Sequence, residues 1–311
     1  MIEQSVAKKE SGQRLDKYLK RLLPSAGSGF LYKMLRKKNI LLNGKKAEGK
    51  ELLSEGDRIS LFFSEETYQH FREKPKTEPD LKGSEELCPL TVLYETEDLT
   101  FVDKPAGLLS QRNDRQEISA NEILRQMYPE ENGYLPSVLN RLDRNTSGIL
   151  IGAKTLYGAR EASRWLKDGL VEKHYHCLVH GNLRHEEDLT AYLLKDPKTN
   201  RVRIFDRETK GAVLIRAVYR PEKTFSGNAL LSVRLITGKS HQIRAHLMHL
   251  GLPVLGDPKY GDPKENRFWK KETGLTRQLL HATELILPSK ETIRSPYPED
   301  FDRVMKKLEE R

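Results

Sequence analysis

The sequence predicts an α+β protein in two parts: a small basic α+β unit, then a larger one with many antiparallel strands. Three observations lead there. Through the second part, short apolar strands bounded by turn residues recur without a regular strand–helix alternation. Charge is unevenly placed: residues 1–63 hold 14 Lys/Arg against 7 Asp/Glu, a surplus of 7 in a chain of 311 residues and formal net charge +9. A stretch rich in charge, Pro and Gly separates the two parts.

In the first unit, Leu15, Tyr18, Leu19 and Leu22 recur at i, i+3, i+4 and i+7, one apolar helical face that Pro24 ends. Phe30, Leu31, Met34 and Leu35 give a second stripe, with Lys33, Arg36, Lys37 and Lys38 mostly outside it. ILLNGKK reads as a strand entering a turn, since Asn43-Gly44 tolerates positive φ. Glu55-Gly56-Asp57 is a second turn, and Ile59, Leu61 and Phe63 alternate as in a half-buried strand. A basic face on such a unit is either a solvated surface or a grip for a polyanion. QRLDKYLKRLLP, LLNGKKA and EGDRISL resemble the RNA-binding domain first described in ribosomal protein S-four, over residues 11–63. The resemblance implies binding to structured RNA, with Arg14, Lys33, Arg36, Lys37, Lys38 and Lys45 as the expected phosphate contacts.

Residues 64–86 have few apolar side chains and no period, and are expected to be a linker on which Tyr68 and Phe71 dock loosely. The second region, 87–311, opens with two strands in LTVLYETEDLTFVDKPAG, joined by a turn at Glu97-Asp98. Asn121–Met127 reads as a short helix, GILIGAK as a strand and AREASRWLKDG as a helix closed by Gly169. EKHYHCLVHG, GAVLIRAVYR and ALLSVRLITG are strands, and HQIRAHLMHLG is a helix closed by Gly251.

Composition excludes several function classes. Cys88 and Cys177 are too few for a disulfide framework or a cysteine zinc site, which points to a reducing compartment. No apolar run reaches the length of a membrane span, and the start has no signal-peptide core, so a cytoplasmic protein is expected. GxGxxG and GxxxxGK[ST] are both absent, so no nucleotide cofactor is expected. The histidines at 174, 176, 180 and 185 and at 241, 246 and 249 cluster, yet no HExxH or Cys-x-x-Cys accompanies them and no metal is expected. No GxSxG elbow supports Ser147 as a nucleophile. A glycosidase pair would need a second carboxylate beside Asp143, for which Asp257 is the one weak candidate.

The remaining chemistry centres on NRLDRNTSG, where Asp143 lies between Arg141 and Arg144. A lone carboxylate can act as a covalent nucleophile if a guanidinium keeps it ionised against a dry wall. Equally, it can be a loop cap paired with Arg141 at the surface. Residues alone leave both open.

NRLDRNTSGILIGAK resembles the catalytic signature of the RluA-type pseudouridine synthases. DKPAGLLS (103–110), EKHYHCLVHG (172–181), LITGKSHQIRAHLMHLGLPVLGDPKYG (235–261) and LLHATELIL (279–287) resemble the family's other motifs, in order. The resemblance implies a pseudouridine synthase-like fold, a mixed and largely antiparallel sheet with flanking helices and a central cleft. It implies an isomerase acting on uridine in RNA without a cofactor, with Asp143 as nucleophile and Arg244 as its partner. Tyr175 would stack on the target base, Arg141 would fill the space the uridine leaves, and Leu280 would wall the pocket. Ribosomal RNA of the large subunit is the expected substrate, with transfer RNA as the other candidate, and nothing requires more than a monomer. A non-catalytic RNA-binding or ribosome-assembly factor and a base-releasing glycosylase are the alternatives. Two positions depart from the family pattern: Asn140 stands where a histidine is usual, and Lys239-Ser240 where Arg-Thr is usual.

Overall fold

A computed structural model describes residues 1–73, 90–113, 117–131, 134–196 and 199–311. Cys88 and residues 74–86 of the expected linker lie outside the described residues.

The amino-terminal unit contains strand β1 (Ile2–Ser5), helices α1 (Leu15–Leu22) and α2 (Ser28–Arg36), strands β2 (Ile40–Leu42), β3 (Lys45–Lys46) and β4 (Arg58–Leu61), and helix α3 (Glu65–Arg72). Its sheet has the order β1-β4-β2-β3. The apolar stripes of α1 and α2 meet it: Leu15, Leu19, Leu31, Leu35, Ile40, Ile59 and Leu61 form one buried cluster. Asn43 and Gly44 both take positive φ, 52° and 70°, in the β2–β3 turn. Helix α3 corrects the reading of residues 64–73 as aperiodic linker. Ser64 caps it by accepting the Thr67 N–H at 3.2 Å. Tyr68 is buried, and Phe71 packs on Phe30 with ring centroids 4.5 Å apart. Two aromatic residues three apart anchor a helix that its polar neighbours conceal.

The second region holds β5 (Thr91–Glu95), β6 (Leu99–Lys104), α4 (Ala120–Met127), β7 (Ser137–Val138), β8 (Ser147–Ala153), α5 (Leu156–Lys167) and β9 (Glu172–His180). It continues with β10 (Glu187–Asp196), β11 (Arg201–Phe205), β12 (Val213–Phe225), β13 (Asn228–Leu235) and α6 (Gln242–His249). The last elements are α7 (Pro263–Thr273), β14 (Leu280–Ile286), β15 (Thr292–Arg294) and α8 (Glu299–Glu309). Its sheet runs β11-β10-β12-β13-β9-β14-β8-β6-β5, with β15 on β14 and β7 on β8. Among the described pairs only β8 and β14 run parallel.

Side-chain alternation explains the layers. Val102 and Leu150 face α4, meeting Ile123 and Leu124. Phe101, Ile149 and Ile151 point the other way and meet Ala162 and Trp165 of α5. Helix α6 covers the α4 side through Ile243 and Leu247. On the opposite side, Trp269 of α7 and Phe301 of α8 pack on Leu178 and Leu230. Strand β8 is buried along its whole length because both of its faces are covered. The two units touch where Arg160 Nη1 of α5 donates to the Ser11 carbonyl at 2.6 Å.

Candidate active site

On the α4–α6 side of the sheet lies an open cavity of about 1180 Å³. Asp143, Tyr175, Arg244, Leu280 and Arg141 all line it. These five residues come from the loop before β8, from β9, α6 and β14, so the fold gathers positions that are far apart in the chain.

Asp143 sits in a turn closed by the Thr146 N–H donating to the Asp143 carbonyl at 3.0 Å. Five side chains hold this loop. Ser110 Oγ donates to the Leu142 carbonyl at 2.9 Å and accepts the Leu142 N–H at 3.0 Å. Lys104, fully buried, donates through Nζ to the carbonyls of Pro105, Leu108 and Arg144 at 2.8, 2.8 and 2.9 Å. Burial pushes its ammonium down to about 7. Arg277 Nη1 donates to the Asn145 carbonyl at 3.2 Å while its other donors grip Asp300 of α8 at 2.5 Å. Gln278 Nε2 reaches Thr146 Oγ1 at 3.2 Å. Asn140, in the place of the usual histidine, accepts the Ile151 N–H at 2.8 Å and so fixes the loop's entry to β8.

The Asp143 carboxylate keeps 25% of its side-chain surface exposed toward the cavity. Its partner is Arg244 Nη1 at 2.7 Å, and not Arg141 as in the surface-cap alternative. Arg244 is itself held from behind. Nε and Nη2 donate to the two oxygens of Asp257 at 2.7 and 2.8 Å, and Asp257 is wholly buried. Asp257 also accepts the N–H groups of Lys259 and Tyr260 at 2.8 and 3.0 Å. The Tyr260 ring lies 5.3 Å from the guanidinium carbon, a cation–π contact. Burial opposes the charge on Arg244, but Asp257 and Asp143 more than offset it and hold the guanidinium protonated well above its ordinary range. The result is a carboxylate–guanidinium–carboxylate chain with one end in the cavity and the other fixed inside the protein.

Tyr175 is buried beside this chain, and burial first, then the charge of Asp143, push its phenol up. It is therefore a neutral ring at physiological pH, suited to stacking and to donating a hydrogen bond. Leu280, Leu142 and Leu235 supply the apolar wall. The glycine that follows Ser147 is sterically required. Gly148 has φ +108° and pairs with Ala282 in the parallel β8–β14 register, and a Cβ there would lie 2.2 Å from the Ala282 carbonyl oxygen.

Electrostatics at the rim favour a polyanion. Among the described lining residues there are eight Lys/Arg (Arg112, Arg141, Arg144, Lys167, Lys173, Lys239, Arg244 and Lys259) against one carboxylate, Asp143. Arg141 is exposed there. On the amino-terminal unit, Lys33, Arg36, Lys37, Lys38 and Lys45 are exposed, and Arg14 pairs with Asp16 at 2.7 Å.

The competing chemistries lose their geometry. Ser147 Oγ does contact His281 Nδ1 at 2.9 Å, but both are buried away from the cavity lining. The histidines disperse: His176 contacts Tyr297, His246 contacts Tyr219 at 2.9 Å and His241 contacts Tyr260 at 2.9 Å. Among the described residues no three His, Cys, Asp or Glu side chains form a metal-binding group, and no helix is long and apolar enough to cross a membrane. Asp257, weighed from sequence only as a second hydrolytic carboxylate, instead buttresses Arg244. Lys104, Arg277 and Asp300 were not singled out from sequence.

A family model described as RNA pseudouridylate synthase matches residues 98–249. A Mycoplasma pneumoniae protein described as an uncharacterized RNA pseudouridine synthase is 32% identical over 289 residues, covering 90% of this chain and 86% of the relative. The ribosomal large subunit pseudouridine synthase C of Rickettsia bellii is 30% identical over 94% of this chain and 96% of its own length. The Escherichia coli protein of that name is 28% identical over 96% and 94%. Human RNA pseudouridylate synthase domain containing 4 has a similar fold, with a TM-score of 0.59 at 21% identity over 70% of this chain and 93% of that one.

Proposed function

Because the chain belongs to the RNA pseudouridine synthase family, we propose that Asp143 is the nucleophile with which it isomerises uridine in large-subunit ribosomal RNA. One observation carries the assignment: Asp143 meets the cavity while Arg244, immobilised by Asp257, holds it at 2.7 Å.

The chemistry follows from that placement. A stacked uridine has to be extruded before its glycosidic bond is reachable, at about a few kcal/mol. Arg141, exposed at the rim, stacks in the space left behind and touches phosphate, a pairing of roles that suits a planar guanidinium. Breaking the bond between C1′ and N1 leaves an electron-rich uracil and an electron-poor sugar. Asp143 meets the sugar either by bonding to C1′ or by taking a ribose proton after uracil departs. The base turns against Tyr175 and the Leu280 wall, and C5 bonds to C1′ as the Asp143–C1′ bond breaks or as Asp143 returns the ribose proton; the C5 proton then leaves to solvent and N1 gains one. Bond exchange is redox-neutral, so the balance needs no co-reactant.

Ribosomal RNA is the preferred substrate because relatives covering most of the chain carry that substrate in their names, and the cytoplasm is the compartment in which such RNA is met. The amino-terminal unit is the accessory grip, its exposed Lys33, Arg36 and Lys37 pairing with phosphates. RNA with tritium at C5 of uracil tests the whole reading. Turnover releases tritium without abasic sites, a glycosylase would leave abasic sites, and a pure binder would do neither. Asp143→Ala is expected to abolish release yet keep RNA binding. Release at the wild-type rate by that variant removes the nucleophile assignment.

A further inference from the structure

We propose that Lys173 binds the RNA phosphate next to the extruded uridine, fixing the strand while the base turns. The inference rests on the reading of the cavity as the uridine site. Strand alternation puts Lys173 and Tyr175 on the same face of β9, about 7 Å apart along the strand. That is a span on the scale of a nucleobase and a neighbouring phosphate. Both residues line the cavity that Asp143 enters. The ammonium lies against the loop between β13 and α6, since a methyl group placed on Gly238 would sit 3.8 Å from Lys173 Nζ.

No carboxylate among the described residues pairs with Lys173. The adjacent Glu172 points to the other face of the strand, near His174 at 3.4 Å. Lys173 is half-buried, and burial alone pushes its ammonium down, with no neighbouring charge to offset it. A lysine half-removed from water without a counter-charge is costly to the folded protein unless something anionic arrives. Among the described lining residues the neighbours are Lys167 and Lys239, and the one carboxylate, Asp143, is held by Arg244. An incoming phosphate supplies the missing charge at the point where strand position decides which base enters.

The test uses the full chain and in vitro transcribed large-subunit ribosomal RNA with tritium at C5 of uracil. Lys173→Met keeps the apolar stem and removes the charge, and Lys173→Arg restores a cation. Lys173→Met is expected to lose about tenfold in kcat/KM. Its plot of log kcat/KM against log salt should be shallower by about 0.7. Lys173→Arg should recover most of the activity and the salt slope. The urea midpoint of Lys173→Met should equal or exceed that of the wild type, because an unpaired charge has been removed. A lowered midpoint would mean the ammonium has a structural partner and would overturn the proposal. So would an unchanged salt slope, or a loss in Lys173→Arg as large as in Lys173→Met, which a proton carrier would show. Absence of tritium release by the wild-type enzyme would instead remove the underlying substrate reading, and this inference with it.

Discussion

Replacing Asp257 by Asn separates the two functions of the Arg244 anchor. The substitution keeps the side-chain volume but turns one of two acceptors, at 2.7 and 2.8 Å from the guanidinium, into a donor facing donors. A hydrogen bond to a charged group contributes about 1.5–3 kcal/mol. Stripping one partner from a buried ion pair costs about 3–5 kcal/mol. Arg244 retains Asp143, so the lower end applies, and a loss of about 3 kcal/mol in unfolding free energy is expected. Catalysis should suffer separately. The guanidinium is left free to turn toward Asp143, and a displacement of about 1 Å in a reacting group is worth about a hundredfold in rate. The expected result is kcat lowered about a hundredfold with KM changed by less than about threefold. Urea unfolding gives the first quantity, and single-turnover tritium release gives the second. A folded variant with kcat within about twofold of wild type would refute the argument that Asp257 works through Arg244.

Gly148→Ala should destabilise by about 2–4 kcal/mol, through overpacking against Ala282 and the strained φ of +108°; a smaller shift in urea midpoint would show that the β8–β14 contact yields. Asp300→Asn releases Arg277 from α8 and with it the Asn145 carbonyl, so kcat should fall about tenfold at constant KM; Asp300→Glu should restore part of it, which a general loss of stability would not predict. His246 gives an acid dependence of known sign. Burial pushes it down to about 4 in the folded state, against an ordinary value of 6.5. The unfolded chain therefore binds the extra proton between those values, and stability falls as pH drops through that window, by about 3 kcal/mol in all. His246→Gln, which can keep a hydrogen bond to Tyr219, should show a flatter urea-midpoint profile from pH 7 to 4 than the wild type.

Local pattern made the helices α1, α2, α4, α5 and α6 legible, along with the strands whose apolar residues alternate. The hairpin of β10 and β11 escaped because Glu187, Asp188, Lys195 and Asp196 mask its alternation. Helix α7 carried readable signals, Asp262 as cap, Pro263 at its first turn and Gly274 past its end. Its face buries Trp269 as a single large residue rather than a stripe, which weakens the period. The site divides in the same way. Asp143, Tyr175 and Arg244 lie in motifs that resemble a known family, so each was placed by its neighbours in sequence. Asp257, Arg277 and Asp300 act through contacts made only on folding. Arg277 meets Asn145 across 132 residues, and Arg244 meets Asp143 across 101. No period or composition reports a pairing of that range. Lys104 stands in the quoted DKPAGLLS motif, but its three carbonyl partners depend on a loop closing around it.

Strand β14 is made after both β8 and β9, yet it belongs in the middle of the sheet, wedged between them. Until Leu280 emerges, β9 and β8 each keep an open border where β14 will pair, and the cavity lacks part of its wall. A chain made only as far as β13 therefore lacks the strand that joins β9 to β8 and brings Leu280 to the cavity. The same delay leaves open borders ready to pair with the wrong neighbour, so holding chaperones should matter most in that interval.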